Sequence, residues 1–321
     1  MTQFDTIIIG AGQAGPPLAV RLAKSGKKVA LVERKNFGGT CVNTGCIPSK
    51  TLIASAEVAH TVQQCQEFGL SISGNIIVKK SDIDVYLSSN CIAFEQSGEN
   101  IIVQLDCEQK TKQVSGSHIL LAIGRTPNTQ DLDLEKAGIK TDTRGYIQID
   151  DQLQTNVSGI WALGECNGRG AFTHTAYNDH EIVADNLLEN RQRRVTDRIL
   201  AYALYIDPPL GRAGLSEEQA RKSGRRIFIA KYPMTRVKRA IIKGKTDGFI
   251  KILIDADSKE ILGAAIVGVG GDEIIHSILD IMYARKPYTI IKEAVHIHPT
   301  VSELIPTTLA DLQPLNTQGV K

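Results

Sequence analysis

The stretch Thr6-Ile7-Ile8-Ile9-Gly10-Ala11-Gly12-Gln13-Ala14-Gly15 decides the fold of this 321-residue chain. Its first four residues are apolar and mostly β-branched, which is typical of a buried parallel strand. Gly10, Gly12 and Gly15 then give the spacing G-x-G-x-x-G, and residues 18–24 have the pattern of a helix. Strand, glycine triplet and helix in this order predict a dinucleotide-binding unit, in which the backbone approaches a pyrophosphate at the helix N-terminus.

The next residues complete this unit. Gly26 closes the predicted helix, and residues 28–33 have the pattern of a second strand that ends in Glu33. Glu33 lies 18 residues after the third glycine, close to the spacing expected for a carboxylate that bonds a ribose hydroxyl. Pro16 and Pro17 follow the triplet directly, so they must fall in the first turn of the helix, where proline is tolerated.

A pair of cysteines follows in the stretch Gly38-Gly39-Thr40-Cys41-Val42-Asn43-Thr44-Gly45-Cys46-Ile47-Pro48-Ser49-Lys50. Four residues separate Cys41 from Cys46, which lets the chain loop back far enough for the sulfurs to meet. A disulfide in so short a loop removes little chain entropy and does little to stabilise a fold. A redox role is therefore favoured, in which one sulfur attacks a partner and the other resolves the product. The alternatives are a reduced structural pair or half of a zinc site.

Composition excludes several classes of protein. Net charge is +2, which gives no indication of nucleic-acid binding, and the basic clusters at 191–194 and 236–239 fit solvated surface. No apolar run reaches the roughly 18 residues that span a membrane, and the N-terminus lacks the basic start of a signal peptide. Six cysteines without regular spacing do not form a secreted disulfide framework. We expect a cytoplasmic protein of about two domains, with no nucleic-acid or membrane partner.

The dinucleotide unit and the sequence G-G-T-C-V-N-T-G-C-I-P-S-K together resemble the FAD-dependent pyridine nucleotide-disulfide oxidoreductases. This family includes dihydrolipoamide dehydrogenase, glutathione reductase and mercuric reductase. The resemblance implies that Cys41 exchanges with substrate and that Cys46 lies against the flavin as a thiolate. A helix that begins near Pro48 would lower the pKa of Cys46. The residues implied to contact FAD are Gly10, Gly12, Gly15, Glu33, Gly39, Thr40, Lys50 and Glu165.

The middle of the chain departs from the family pattern. Short alternating segments at 83–87, 91–94 and 100–105 predict an antiparallel meander. Residues 118–128 resemble the return from the NAD(P)H-binding domain, yet no second glycine fingerprint precedes them. NAD(P)H is expected for the family, but most of its domain is missing. We expect the remnant at 82–125 to replace the meander of the FAD domain, the alternative being a fragment that folds poorly.

Two later motifs complete the resemblance. Residues 155–165 resemble the second FAD motif, a strand ending in Gly-Asp, with Glu165 in place of the aspartate. Near the C-terminus, His298 precedes Pro299 and Thr300, and the resemblance implies that this histidine is the acid/base for the exchanging thiol. Glu303, five residues later, would orient it. The two histidines at 296 and 298 lack a further ligand cluster, so no metal site is expected.

The predicted fold is α/β: a three-layer, Rossmann-like FAD-binding domain over residues 1–195, with a parallel sheet and an antiparallel meander, followed by an α+β dimerisation domain over 196–321. Predicted elements of the second domain are a capped helix at 216–220, a hairpin at 249–266 and an amphipathic helix at 274–282. By resemblance the protein is a homodimer whose subunits share the active site.

The predicted function is FAD-dependent oxidation and reduction through a redox-active Cys41–Cys46 disulfide, which exchanges with a small-molecule or protein disulfide. The alternative is an FAD-binding pseudoenzyme or fragment without NAD(P)H-driven turnover, because no nicotinamide site is found. The C-terminal tail lacks the cysteine pair that mercuric reductases carry, which argues against mercury as the substrate.

Overall fold

The computed structural model describes residues 2–71, 89–107, 110–119 and 124–315. One compact unit comprises Met1–Ile53 together with Thr129–Lys321, and a second comprises Ala54–Asn128. The described strands form one parallel and two antiparallel sheets, which confirms the predicted α/β class. The predicted domain boundary between residues 195 and 196 stays a prediction.

The N-terminal βαβ unit forms as predicted. Strand β1 (Thr6–Ile9) pairs in parallel with β2 (Val29–Val32), and α1 (Gly15–Lys24) connects them. Pro16 and Pro17 lie in the first turn of α1, where their missing N–H groups have no intrahelical partner in any case. The β-branched residues of both strands suit a pleated sheet, and a glycine follows both β1 and α1.

The cysteine pair lies at the junction of two helices. The short helix α2 (Gly39–Asn43) carries Cys41, and α3 (Cys46–Gln63) begins at Cys46, two residues earlier than predicted. A helix can begin there because Pro48 is its third residue and needs no N–H partner. Helix α3 ends at Gln63 and is followed by a short 3-10 turn at Cys65–Phe68.

A three-stranded antiparallel meander belongs to the second unit. It consists of β3 (Ser89–Ser97), β4 (Asn100–Cys107) and β5 (Lys110–Gly116), with β4 in the centre. The segments predicted at 91–94 and 100–105 are confirmed as strands, whereas β5 was not predicted. The segment predicted at 83–87 lies outside the described residues. Replacement of the FAD-domain meander by this sheet stays a prediction.

Residues 155–165 form no regular strand, contrary to the prediction. Thr155 and Trp161 make only isolated bridges, to Ile149 and Gln154 respectively. The apolar run at 160–163 packs beside the long helix α4 (Thr173–Glu189), in a core that Leu18 and Leu22 of α1 share with Ile182 and Val183 of α4. This core fixes α4 against the βαβ unit.

The C-terminal part of the chain is an antiparallel sheet covered by helices. Its elements are β6 (Ala201–Leu204), β7 (Leu210–Gly214), α5 (Glu217–Lys222), β8 (Ile227–Pro233), α6 (Lys238–Ile242), β9 (Phe249–Asp255), β10 (Ile261–Val267), α7 (Gly271–Tyr283), α8 (Thr289–Lys292), α9 (Leu304–Ala310) and β11 (Gln313–Pro314). The strand order is β11-β8-β9-β10-β7-β6, and the predicted hairpin at 249–266 is at the centre of the sheet. Ser216 caps α5 by accepting from the Gln219 N–H, as predicted. Isoleucines of β9 and β10 pack against α7, which confirms the α+β architecture.

Candidate active site

Both sulfurs of the cysteine pair lie beside one hydroxyl group. Cys41 and Cys46 are free thiols, and Thr173 Oγ1 lies 3.0 Å from the Cys41 sulfur and 3.2 Å from the Cys46 sulfur. Gly45 makes the tight turn between the two cysteines possible, since a Cβ there would lie 2.8 Å from the Thr40 carbonyl oxygen. The fold therefore brings the predicted pair together and adds Thr173, which the sequence did not identify.

The surroundings move the pKa values of the two thiols in opposite directions. A hydrogen bond from the Cys41 thiol is the main cause that lowers the pKa of Cys46; Thr173 and the positive charge of Lys50 add to it. Burial raises the pKa of Cys41, and its hydrogen bond to Cys46 raises it further. The direction for Cys46 is the one predicted, but its main cause is the neighbouring thiol rather than the helix end. Cys46 is thus the more easily ionised sulfur, and Cys41 holds its proton longer.

Lys50 has an aromatic partner, Tyr205. Its Nζ lies 4.7 Å from the centre of the Tyr205 ring, within the range of a cation–π contact, and 3.4 Å from Ser49 Oγ. Tyr205 lies in the loop after β6, more than 150 residues further along the chain. The contact holds the ammonium group on the side of α3 that bears Cys46, which accounts for its effect on that sulfur.

The glycine loop and Glu33 form a compact group at the end of β1. Glu33 Oε2 accepts from the Ala11 N–H at 2.8 Å, and this bond, with one from the Lys35 N–H, lowers the pKa of Glu33. Gly15 must be glycine, because a Cβ there would lie 2.1 Å from the Gly10 carbonyl oxygen. A Cβ at Gly12 would meet nothing within 4 Å, so the backbone there is open to a ligand.

The residues present fit FAD. The open backbone at Gly12 suits a pyrophosphate, and the Glu33 carboxylate at the end of β2 suits a ribose. Gly39 approaches this loop closely, since a Cβ on it would lie 3.0 Å from the Gly12 Cα. The loop that carries the cysteines therefore starts beside the dinucleotide loop, as the resemblance implies. Because Pro16 and Pro17 lack N–H groups, the donors at this helix end come from the glycine loop itself.

A buried aspartate organises the loop that carries Glu165. Asp179 of α4 accepts from the Gly164 N–H at 2.8 Å and from the Asn167 side chain at 2.9 Å. Gly164 has a φ of 83°, a conformation that favours glycine, and Glu165 follows it as the first residue of a 3-10 turn. Asp179 thus holds the Gly164 backbone before Glu165 and the Asn167 side chain after it. No local pattern in the sequence marks the role of Asp179, because its bonds cross 12 to 15 residues.

His298 and Glu303 form the predicted pair. His298 Nδ1 lies 2.9 Å from one carboxylate oxygen of Glu303 and 3.1 Å from the other. The histidine side chain is 72% exposed and the glutamate 15%, so the ring is held from one side and open on the other. Among the described residues, His298 makes no hydrogen bond to either cysteine. The catalytic and cofactor roles of all these residues stay predictions.

Two absences apply to the part of the chain that the structure describes. Over those residues, no group of three or more His, Cys, Asp or Glu side chains is arranged to hold a metal ion. None of the helices there is long and apolar enough to cross a membrane.

Comparison with protein families agrees with this geometry. A model described as "Pyridine nucleotide-disulphide oxidoreductase" matches residues 4–102 and 75–179, and the dimerisation domain of the same family matches residues 200–309. The chain belongs to this family. Its members are FAD-dependent flavoproteins that use NAD(P)H, so the resemblance and the cofactor class predicted from the sequence are confirmed.

Several relatives cover nearly the whole chain. The probable pyridine nucleotide-disulfide oxidoreductase RclA of Escherichia coli is 27% identical, over 94% of this chain and 98% of its own. The dihydrolipoyl dehydrogenase of Corynebacterium glutamicum is 24% identical, over 94% of this chain and 96% of its own. A solved structure described as the HOCl-induced flavoprotein disulfide reductase RclA of Escherichia coli, as a Cu(II) complex, has a TM-score of 0.80 at 25% identity and covers 97% of this chain and 99% of its own.

The chain is shorter than these relatives, as predicted. The alignment with RclA runs over 433 positions, whereas the chain has 321 residues, so more than 100 aligned positions have no counterpart here. The two matches of the oxidoreductase model overlap at 75–102, which includes the place where the sequence first departs from the family.

Proposed function

We propose that the protein is an FAD-dependent oxidoreductase that exchanges its Cys41–Cys46 pair with a disulfide substrate. The observation that carries the proposal is the pair itself: two free thiols next to one hydroxyl, with pKa values moved in opposite directions. In such a pair Cys46 ionises before Cys41, and the thiolate is the form that attacks in thiol–disulfide exchange.

The exchange follows from the two thiols. Cys41 gives its proton to a base and attacks one sulfur of the substrate, whose S–S bond breaks. The first thiolate leaves and takes the proton from the protonated base. The Cys46 thiolate then attacks the Cys41 sulfur, closes the Cys41–Cys46 disulfide and releases the second thiolate, which is protonated by water. The pair loses two electrons and the substrate gains two.

His298 is the base in this scheme. Its Nδ1 is bonded to Glu303, so its other nitrogen is free to accept a proton, and the carboxylate stabilises the positive ring that results. Cys41 needs such a base because its pKa is raised. In a homodimer, for which the dimerisation domain is suited, His298 of one subunit would serve the cysteines of the other.

The residues that would hold FAD are Gly10, Gly12, Gly15, Glu33, Gly39, Thr40, Lys50 and Glu165. When bound, FAD supplies a two-electron redox partner for the cysteine pair. Cys46 is the first residue of α3 and has a lowered pKa, and the positive charge of Lys50 contributes to this lowering. Asp179 holds the backbone that presents Glu165.

A pseudoenzyme that binds FAD without NAD(P)H-driven turnover is the second candidate. It is favoured by the more than 100 aligned positions without a counterpart, and by the absence of a second glycine fingerprint from the sequence. A cytoplasmic location stays a prediction for either candidate.

Anaerobic titration of the purified protein distinguishes the two. We expect bound flavin that dithionite reduces, with a long-wavelength charge-transfer band that is lost on Cys46→Ser and kept on Cys41→Ser. Reduction by NADPH or NADH at catalytic rates would support the full enzyme, whereas reduction by dithionite alone would support the second candidate. A protein purified without flavin that also fails to bind added FAD would refute both.

A further inference from the structure

A cavity of about 390 Å³ lies between α4 and the C-terminal end of α7. Asn178 lines it from α4 and Tyr283 from α7, and the remainder of the wall comes mainly from the segment 193–199. The volume falls in the range of small-molecule sites, roughly 300–1,000 Å³. The cavity takes no part in the exchange reaction proposed above.

Four arginines and one acid line this cavity. Arg193 is paired with Asp185 at 2.7 Å, outside the cavity wall. Arg194 and Arg285 make no ion pair among the described residues, so their charges are not neutralised by the protein. The one acid in the wall is Asp197, whose carboxylate accepts from the backbone N–H of residue 194 at 3.3 Å. The cavity therefore carries an excess of positive charge.

Arg198 is the fourth arginine and is fixed in place. Its Nη2 donates to Asp179 at 2.5 Å, and its Nε donates to Asn178 at 3.1 Å. Its Nη1 is buried and has no hydrogen-bond partner among the described residues. That atom is too buried for a molecule in the cavity to reach, so the donors open to a ligand are those of the exposed Arg194 and Arg285. The planar guanidinium suits a carboxylate or phosphate, which accept two parallel hydrogen bonds.

We propose that this cavity binds a small oxyanion with two or more negative charges, through Arg194 and Arg285. The two arginines have no ion-pair partner among the described residues, so they supply both the positive charge and the hydrogen-bond donors. Arg198 is held by Asp179 and Asn178 and forms a fixed part of the wall. The shared chemistry covers a phosphate group and a dicarboxylate. A surface of solvated arginines, the interpretation that the sequence favoured for residues 191–194, does not account for the cavity.

Isothermal titration calorimetry of the FAD-saturated protein tests this proposal, with sodium phosphate as the probe and sodium chloride to keep the ionic strength constant. The variant is Arg194→Gln with Arg285→Gln, since neither side chain holds the fold together. The control is Arg191→Gln, which removes one positive charge nearby from a side chain that is 57% exposed and does not line the cavity, and which is matched in charge to the single variant Arg285→Gln. Arg198 is left intact because its loss would strand the buried Asp179.

We expect one saturable phosphate site per chain, at least tenfold weaker in the double variant and within twofold of the wild type in Arg191→Gln. Circular dichroism and thermal melting verify that each variant is folded, and Arg285→Gln alone replaces the double variant if that one is not. A second titration with succinate identifies the ligand class. Tighter binding of succinate indicates a dicarboxylate site, and tighter binding of phosphate indicates a phosphate site. Absence of saturable binding for both anions, or an equal loss in Arg191→Gln, would overturn the proposal.

Discussion

Replacing Thr173 by valine should lower the fraction of Cys46 that is ionised at neutral pH. The hydroxyl lies 3.2 Å from the Cys46 sulfur, and valine has the same shape without it. The substitution should leave α4 in place, because the cap of this helix uses another residue: the Phe172 N–H donates to Thr175 Oγ1 at 3.1 Å. The change therefore removes only the contacts of this hydroxyl with the Cys41 and Cys46 sulfurs.

The magnitude follows from the acceptor and its surroundings. A hydrogen bond to a charged acceptor contributes roughly 1.5–3 kcal/mol. Sulfur is a weak acceptor and the site is partly open to solvent, which reduces this to about 1 kcal/mol. The bond from Cys41 remains, and it is the larger cause of the low pKa. At about 1.4 kcal/mol per factor of ten, the thiolate fraction should fall roughly fivefold.

The assay is the rate of alkylation of the reduced protein by iodoacetamide between pH 5 and 9, followed at each cysteine by mass spectrometry. Thr173→Ser retains the hydroxyl and should resemble the wild type. Thr44→Val is the matched control. Thr44 lies in the turn between Cys41 and Cys46, and its hydroxyl makes no hydrogen bond among the described residues. The reasoning is refuted if the Cys46 profile of Thr173→Val coincides with that of the wild type, or if Thr44→Val shifts it equally.

Three further substitutions test other parts of the account. Lys50→Gln should raise the pKa of Cys46 in the same alkylation assay, and the difference should shrink in 1 M salt, where charges are screened within about 3 Å; a salt-independent difference would contradict this. His298→Gln should slow the reaction of the reduced protein with an aryl disulfide about 100-fold in stopped flow, because Cys41 loses its base; an unchanged rate would exclude the base role. Asp185→Asn should destabilise the protein by about 2 kcal/mol in urea at pH 7, because it removes charged hydrogen bonds. Burial raises the pKa of Asp185, but Arg193 and Arg21 outweigh this and the net pKa is lowered. Its contribution is therefore present above the unfolded value of about 3.9 and is lost as the pH falls through the folded value; a difference that does not shrink as the pH falls below about 3.9 would contradict this.

The parts predicted correctly from sequence are those fixed by neighbouring residues. The βαβ unit follows from β-branched runs and glycine spacing within 33 residues. The pair of His298 and Glu303 spans five residues, and the cap at Ser216 spans three. In each case the interaction lies within one element or one connection, so the pattern in the sequence and the contact in space coincide.

The parts that were missed depend on contacts between distant residues. Thr173 reaches the two sulfurs across 127 and 132 residues of chain, and no local pattern marks it. Strand β5 is mostly polar and lacks alternation; its pairing with β4 is what makes it a strand. Conversely, the apolar run at 160–163 has the composition of a strand but does not form one. In the described part of the chain the parallel sheet consists of β1 and β2 alone, and residues 160–163 make only an isolated bridge instead of a continuous row of strand hydrogen bonds.

The central claim is that Cys41 and Cys46 form a reversible redox pair. Equilibration of the protein with mixtures of reduced and oxidised dithiothreitol, followed by acid quenching, alkylation and peptide mass spectrometry, tests it directly. The account predicts a single two-electron transition between the dithiol and an intramolecular Cys41–Cys46 disulfide, with Cys166 reduced throughout because burial raises its pKa to about 11. Persistence of both thiols under oxidising conditions, or pairing of either one with another cysteine, would contradict the claim.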